Sequence, residues 1–375
     1  MIDAHQPMPH PDKYSYIRGW NLIGMFGHAG GLGNAARGNL AALRELVSPR
    51  QTFSFPTNKL RDPRKLKTKY NASYLHFNPN AVSLPALKQT KLFAGRNIGY
   101  WAWETSRCPD SWLAYDRHMT QIWVPSTFVK KTLTKQGFET PIFVIPHAIT
   151  VPSSLPSRGT HEGPINFLVT FDGKSRVERK RPDLSIAAIY LAAQAEKQEC
   201  NIIIKCHDAD DEIKPLLIKA DKLATGKGKA WVTHTIMDGW LDERSFASVW
   251  SMTDALVSLN RGEGFGLPIV EAMARGVAVV ATNWGASLDH LTEHNSFPVD
   301  PCAIVPCAKS GDEYFRDGNW AEPSLHGAVE QIRACINEIK TGTIRPRLEA
   351  AWVTASNYTH DCLVERMREA LQEIK

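Results

Sequence analysis

No stretch of the 375 residues comes near the roughly 18 consecutive apolar positions that a membrane-spanning helix requires. The opening Met1-Ile2-Asp3-Ala4-His5-Gln6-Pro7 is polar and proline-bearing, unlike a secretory signal. Cysteines are few and scattered: Cys108, Cys200, Cys206, Cys302, Cys307, Cys335 and Cys362 make an odd set with no disulfide framework. Cys302 and Cys307 lack a second Cys or His pair nearby, which argues against zinc, so all seven read as reduced thiols. A large excess of one charge is also missing. The formal +5 is modest for this length and no RNA- or DNA-binding motif accompanies it, so a nucleic-acid partner is not expected. No Asp-x-Asp metal motif stands in a suitable loop, and neither a metal nor a cofactor is expected. Together these absences point to a cytoplasmic protein, with a peripheral contact at the inner membrane face left open by the positive charge.

What is present is a globular composition. A hydrophobic share of 43% is enough for buried cores, and 375 residues fit two domains of roughly 100–200 residues each. The chain is organised around Asn260-Arg261-Gly262-Glu263-Gly264-Phe265-Gly266-Leu267-Pro268-Ile269-Val270-Glu271. Apolar runs flank it, Ala255 to Leu259 before and Val277 to Ala281 behind, and both read as buried strands. A glycine-bearing loop and a helix between two such strands make a parallel β-loop-α-β unit. Pro268 suits a first helical turn and Gly276 a C-terminal stop, so the helix is predicted to start near Gly266 to Pro268. The backbone N–H groups of Phe265, Gly266 and Leu267 then form a seat for phosphate, helped by the helix dipole. Glu263 precedes the seat and Glu271 lies about one turn inside the helix. Carboxylates repel phosphate and accept from hydroxyls, so a ligand with phosphate in its middle and hydroxyl-rich rings at both ends, a nucleotide-sugar, fits the pattern. The plainer reading is a pair of glutamates that the helix dipole alone would favour.

Glu263 to Glu271 resembles the E-x7-E motif of retaining glycosyltransferases of the two-domain GT-B fold, family 4 in particular, and Tyr100-Trp101-Ala102-Trp103-Glu104-Thr105 resembles a bacterial polysaccharide-biosynthesis branch. The resemblance implies an α/β fold of two Rossmann-like, doubly wound domains facing across a cleft. Residues 1–149 would form the acceptor-side domain, with a last helix at 355–375 packing back on it; 150–163 would be a linker and 164–354 the donor domain. It also implies Glu263 at the transferred sugar, Glu271 at the ribose, and Phe265, Gly266 and Leu267 at the sugar and diphosphate. The implied activity is metal-independent transfer of a sugar, a hexose by expectation, from a nucleoside-diphosphate sugar to a hydroxyl of a glycan or lipid-linked acceptor, with retention. A non-catalytic glycan- or nucleotide-binding module and a nucleotide-sugar epimerase are the competing readings.

Taken in order, residues 1–15 read as a loose arm, and Gly19 to Phe26 as the first strand. His28-Ala29-Gly30-Gly31-Leu32-Gly33 then turns into a helix from about Asn34 to Leu46. Gly31-Leu32-Gly33-Asn34-Ala35-Ala36 fits G-x-G-x-x-G/A, but the second strand, Gln51 to Asn58, supplies no acidic residue, which argues against a nicotinamide enzyme. A structural glycine turn remains the rival reading. By resemblance Gly31 and Gly33 approach the donor diphosphate and Arg37 faces the same loop on the acceptor side. Six cations among residues 58–69 read as a solvated loop or as a contact with an anionic surface. Sugar C–H faces pack on aromatic rings, which makes Trp103 an acceptor-side candidate and Glu104 a candidate base; Trp101 and Trp112 read as core. Many family 4 enzymes have a histidine where Trp103 stands. His147, closing the strand Pro141 to His147, reads as structural.

The strand Asn166 to Asp172 leads into Lys174, Arg176, Arg179, Lys180 and Arg181 before Pro182 opens a helix, a basic loop placed to grip a diphosphate. By resemblance an Arg and a Lys here neutralise the leaving group. Lys180 matches the Lys; Lys174 occupies the usual Arg position, which leaves Arg179 or Arg176 as substitutes. The base would lie near Thr235 to Met237, around Ile236. Asn283-Trp284-Gly285-Ala286-Ser287 stands where relatives carry Gly-Gly-x-x-Glu, so an acidic contact from that position is missing.

Overall fold

The structure is a computed structural model, and it describes residues 17–28, 30–54, 66–81, 84–85, 92, 95–156, 163–173, 176–207, 209–307 and 317–374. The arm at 1–15, positions 58–65 of the basic loop, 157–162 of the linker and Lys174 therefore lie outside the described residues. Two compact units emerge. One holds the residues up to Ala102, Pro109–Ala148 and His360 onward; the other holds Trp103–Cys108 and Ile149–Thr359.

The strands of the first unit are short, and the inner ones, such as Trp20–Gly24, are buried at nearly every position, the pattern of a parallel sheet covered on both faces. They are β1 (Trp20–Gly24), β2 (Arg50–Ser54), β3 (Ala72–His76), β4 (Arg96–Tyr100), β5 (Gln121–Val124) and β6 (Ile142–Val144), all parallel, in the order β2-β1-β3-β4-β5-β6. Between β1 and β2 runs helix α1 (Gly31–Leu46). This is a correction to the sequence reading, which began the helix near Asn34: Gly31 and Gly33 form its first turn, because Gly30 in extended conformation stands at the N-cap and its carbonyl accepts from Asn34 N at 3.0 Å. The C-terminal helix His360–Gln372 places Leu363, Val364, Met367 and Ala370 in one core with Leu40 and Leu43 of α1. His147 is buried in this unit, its Nδ1 3.1 Å from the Tyr100 hydroxyl.

The second unit is built on β7 (Ile165–Asp172), β8 (Cys200–His207), β9 (Val232–Met237), β10 (Ala255–Ser258), β11 (Ala278–Thr282) and β12 (Phe297–Val299), again all parallel. Their order, β12-β11-β10-β7-β8-β9, reverses direction between β7 and β10. In open α/β sheets ligands bind outside the carboxyl ends of the strands at such a switch point. An antiparallel pair, β13 (Pro301–Pro306) and β14 (Asn319–Pro323), and a helix at Arg345–Ala355 were not read in the sequence. Trp103–Cys108 packs with this unit because its backbone runs along the loops there: Ser106 N donates to Asn319 O, and Ser106 Oγ accepts from Asn319 N, both at 2.9 Å. Among the described residues no helix is long and apolar enough to cross a membrane.

A Cβ built on Gly33 would stand 1.7 Å from the His28 carbonyl oxygen, a rigid backbone atom. Gly33→Ala is therefore expected to cost about 1–3 kcal/mol, the usual penalty of overpacking, read as a lower midpoint in urea unfolding; Gly38→Ala in the same helix, with nothing within 4 Å, is the control and is expected to stabilise by about 0.5–1 kcal/mol, the helix-propensity gain.

Candidate active site

The carboxyl end of β7 leads through a short helix, Val177–Lys180, to a left-handed residue, Arg181, and then to the helix Pro182–Glu196. From β10 the chain enters Asn260 to Gly266 and the helix Leu267–Ala274. Because β7 and β10 are neighbours, these two loops lie side by side, and Arg261 N donates to Arg179 O at 2.8 Å. Their side chains then meet. Arg179, 5% exposed, donates to the Gly262 carbonyl at 2.7 Å and lies 3.5 Å from a Glu263 oxygen, while Lys180 Nζ pairs with the other Glu263 oxygen. Burial pushes the Glu263 carboxyl up, but the two cations outweigh it and hold it below the usual carboxylate range.

Glu104 joins this cluster. The Glu104 carbonyl oxygen lies where a Cβ on Gly262 would come within 2.1 Å, so only glycine permits so close an approach of the two backbones. Burial raises the Glu104 carboxyl pKa, the nearby Arg179 lowers it and Glu263 raises it, for a net upward shift. The structure thus brings Glu104, Arg179, Lys180 and Glu263 together. Lys174 is undescribed and Arg176 is only partly buried, so the described cations turned into the cluster are Arg179 and Lys180.

The helix behind the cluster starts at Leu267 with Gly266 as its N-cap at φ +90°, a left-handed conformation that favours glycine. Among the described residues the amides of Gly266 and Leu267 donate to no protein group, and Phe265 is buried. Glu271 lies on this helix with its carboxylate accepting no hydrogen bond among the described residues. Burial pushes its pKa up to about 7, against a downward pull from Arg275.

One expectation reads differently in three dimensions. Trp103 is fully buried, its indole N–H bonded to Thr105 Oγ1 at 2.8 Å and the Arg107 carbonyl at 2.7 Å, so it offers no face to a sugar and the acceptor-side assignment is withdrawn. Arg37 spends its guanidinium on the carbonyls of Phe26 at 3.2 Å and His28 at 2.6 Å, bracing the turn that opens α1. Ile236, 48% exposed, sits on the edge strand β9, three strands from β10, and lines an open groove of about 590 Å³ with Leu217 and Ile218.

Sequence reasoning missed the supports. Glu322 on β14 accepts from Arg181 and from Arg261 Nε at 2.8 Å, and Arg181 Nε reaches Asp183, 1% exposed, at 3.1 Å. Nothing in the local sequence ties position 322 to 181 and 261. Trp240 was also missed, although an exposed tryptophan just beyond a strand end is a legible signal: it is 54% exposed and its ring lies 3.9 Å from that of His207, which ion-pairs with Asp172 at 3.2 Å when protonated. The sequence contains one Asp-x-Asp spacing that the reading passed over, Asp208-Ala209-Asp210 after β8, but Asp208 lies outside the described residues. Among the described residues no group of three or more His, Cys, Asp or Glu side chains could hold a metal ion.

Residues 166–308 match the model of the family glycosyl transferases group 1. No curated protein matches the chain. Among solved structures, the Anabaena protein Alr3699/HepE in complex with UDP aligns at a TM-score of 0.66 with 14% identity, covering 94% of this chain and 99% of its own. A glycosyltransferase from Rickettsia africae ESF-5 aligns at 0.63 with 16% identity, covering 95% and 98%. The lipopolysaccharide outer core galactosyltransferase WaaB aligns at 0.61 with 13% identity, covering 94% and 99%. At these identities the structures establish the fold, the two-domain α/β GT-B type, and the glycosyl transferases group 1 match covers the β7-to-β13 part of it.

Glu271 makes a pH test of the site. Its carboxyl moves from an ordinary 4.5 up to about 7, so between those values the folded chain keeps a proton that the unfolded chain has lost. Stability therefore falls as pH rises through this window, and the whole cost stands above it. Glu271→Gln is expected to melt about 2–4 °C above the parent at pH 8, the shift for roughly 1 kcal/mol in a domain of this size, and to melt with it at pH 4; a parallel offset at both pH values would contradict the burial of this carboxylate.

Proposed function

We propose that this chain is a retaining, metal-independent glycosyltransferase that moves a sugar, a hexose by expectation, from a nucleoside-diphosphate sugar to a hydroxyl of a glycan or lipid-linked acceptor. The observation that carries the reading is the convergence of Arg179, Lys180 and Glu263 beside the amides of Gly266 and Leu267, which donate to no group among the described residues, at the β7/β10 switch point. In the proposed reaction the bond between the anomeric carbon and the diphosphate oxygen breaks and the acceptor oxygen forms the new one. Charge growing on the leaving diphosphate is offset by Arg179, Lys180 and the helix-start amides. Glu263 addresses the transferred sugar and Glu271 accepts from the ribose hydroxyls. Glu104, its pKa raised by burial, takes the role of base.

The base of the nucleotide is assigned to the end of β9, around Thr235 to Met237 and the flat pair His207 and Trp240. Strands stand about 4.8 Å apart, so the step from β10 across β7 and β8 to β9 matches the reach of a nucleoside diphosphate. The donor belongs to residues 164–354, and the acceptor side to 1–149 with the last helix. A cytoplasmic location with peripheral membrane contact completes the reading, and it suits a lipid-linked acceptor.

A thermal-shift panel of UDP-, GDP-, ADP- and dTDP-sugars tests the donor, since a bound ligand raises the melting point according to its affinity. Glu271→Ala is expected to raise donor KM roughly tenfold, the loss of a charge-assisted hydrogen bond, and that of the parent to climb as pH falls below about 7 and the carboxylate is protonated. Lys180→Ala should mainly lower kcat, by about 100-fold, as for removal of a transition-state anion contact. Turnover unaffected by EDTA, and a product with the donor's anomeric configuration by NMR, complete the expected set; full turnover by both variants would refute the site.

A further inference from the structure

The loop that carries the helix-start amides is held from behind by a segment to which no role has been given. After β11 the chain makes a 3₁₀ turn at Gly285–Asp289, and two groups from this stretch reach the loop: Ala286 N donates to Glu263 O at 3.3 Å, and His290 Nε2 lies 2.8 Å from Phe265 O. His290 is 2% exposed and fixed on every side. Its own N–H reaches Ser287 O at 3.0 Å, its carbonyl accepts from Asn295 Nδ2 at 2.8 Å, and Asn295 also donates to Thr354 Oγ1 at 3.0 Å. Its Nδ1 lies 2.8 Å from the hydroxyl of Tyr358, and the rings of Phe265, His290 and Tyr358 meet edge to face, with centroids 4.9–5.5 Å apart.

A carbonyl oxygen only accepts, so Nε2 must carry the proton toward Phe265. Burial lowers the His290 pKa and keeps the ring neutral with one proton, which leaves Nδ1 to accept from the Tyr358 hydroxyl. The consequence lies in the peptide plane. A trans peptide points its C=O and its N–H in opposite directions, so anchoring the Phe265 oxygen in the interior turns the N–H of the same plane, that of Gly266, away from His290. That amide belongs to the helix start assigned above to the diphosphate.

We propose that His290 is a positioning residue of the donor site, its Nε2–H holding the Phe265 carbonyl so that the Gly266 amide is aimed at the diphosphate, with the Tyr358 hydroxyl seated against Nδ1. The proposal rests on the donor reading given above. It concerns the phosphate end of the ligand, and the nucleoside end is read separately.

The test compares the binding of UDP, inorganic pyrophosphate and uridine by the full chain and three variants, using titration calorimetry. His290→Ala is expected to weaken UDP and pyrophosphate about tenfold, the loss of one well-placed hydrogen bond, while uridine binding is unchanged. His290→Gln carries an amide N–H at the reach of Nε2 and should restore UDP to within about threefold; His290→Asn, whose amide reaches only as far as Nδ1, should not. Equal UDP affinity in the Gln and Asn variants, or a parallel loss of uridine, overturns the positioning role even if the Ala variant fails to fold. A parent chain that binds none of the three probes sinks the donor reading itself, a different failure.

Discussion

Glu263 between Arg179 and Lys180 is the interaction on which the rest of this site depends. Ionised groups taken out of water cost several kcal/mol each, and removing one partner of a buried pair leaves the other uncompensated. Two cations and one carboxylate can therefore sit buried at the carboxyl end of the sheet only if the loops carrying them are held at ion-pair distance. Strand order makes that possible: β7 and β10 are adjacent although some 80 residues of chain separate them, and the reversal of direction between them leaves room at their carboxyl ends. In the proposed reaction a diphosphate offers Lys180 another anionic partner, so the ammonium exchanges one contact for another instead of being left bare.

The supports repeat the same logic one layer out. Arg181 and Arg261, one from each loop, share Glu322 on β14, and Arg261 also reaches Glu178 at 2.8 Å and lies over the Trp320 ring. Asp183 binds Arg181 on one side and Lys219 at 2.9 Å on the other. Each of these charges is met by an opposite one on another element, so the two loops are tied to each other and to the antiparallel pair. The Trp103-to-Cys108 stretch joins this group because Gly262 and Gly264 clear the path for its backbone. It delivers Glu104 to the cluster and buries Trp103, two neighbours in sequence with opposite fates.

Much of this was legible in the linear chain. Short apolar runs spaced by glycine- and proline-marked turns show as parallel strands because a strand buried on both faces has no room for polar side chains. Pro268 after Gly266 marks a helix start since proline needs no donor there. The basic run from Arg176 to Arg181 pointed to an anion for the same local reason. Trp103 misled because aromatic density reads alike in a core and in a sugar site, and only the hydrogen bonds of its indole to Thr105 and Arg107 tell them apart.

Determined by sequence alone were the doubly wound α/β class, the β-loop-α unit around Glu263 and Glu271, and the basic loop before Pro182, because each is set by residues within a turn or two of one another. Tertiary structure alone decided that Arg179 and Lys180 close on Glu263, that Glu322 joins Arg181 to Arg261, and that His290 and Tyr358 stand behind Phe265. Those contacts join positions 60 to more than 140 residues apart or segments with no motif of their own. Pairing at such range is chosen by strand order and burial, which a local pattern does not encode.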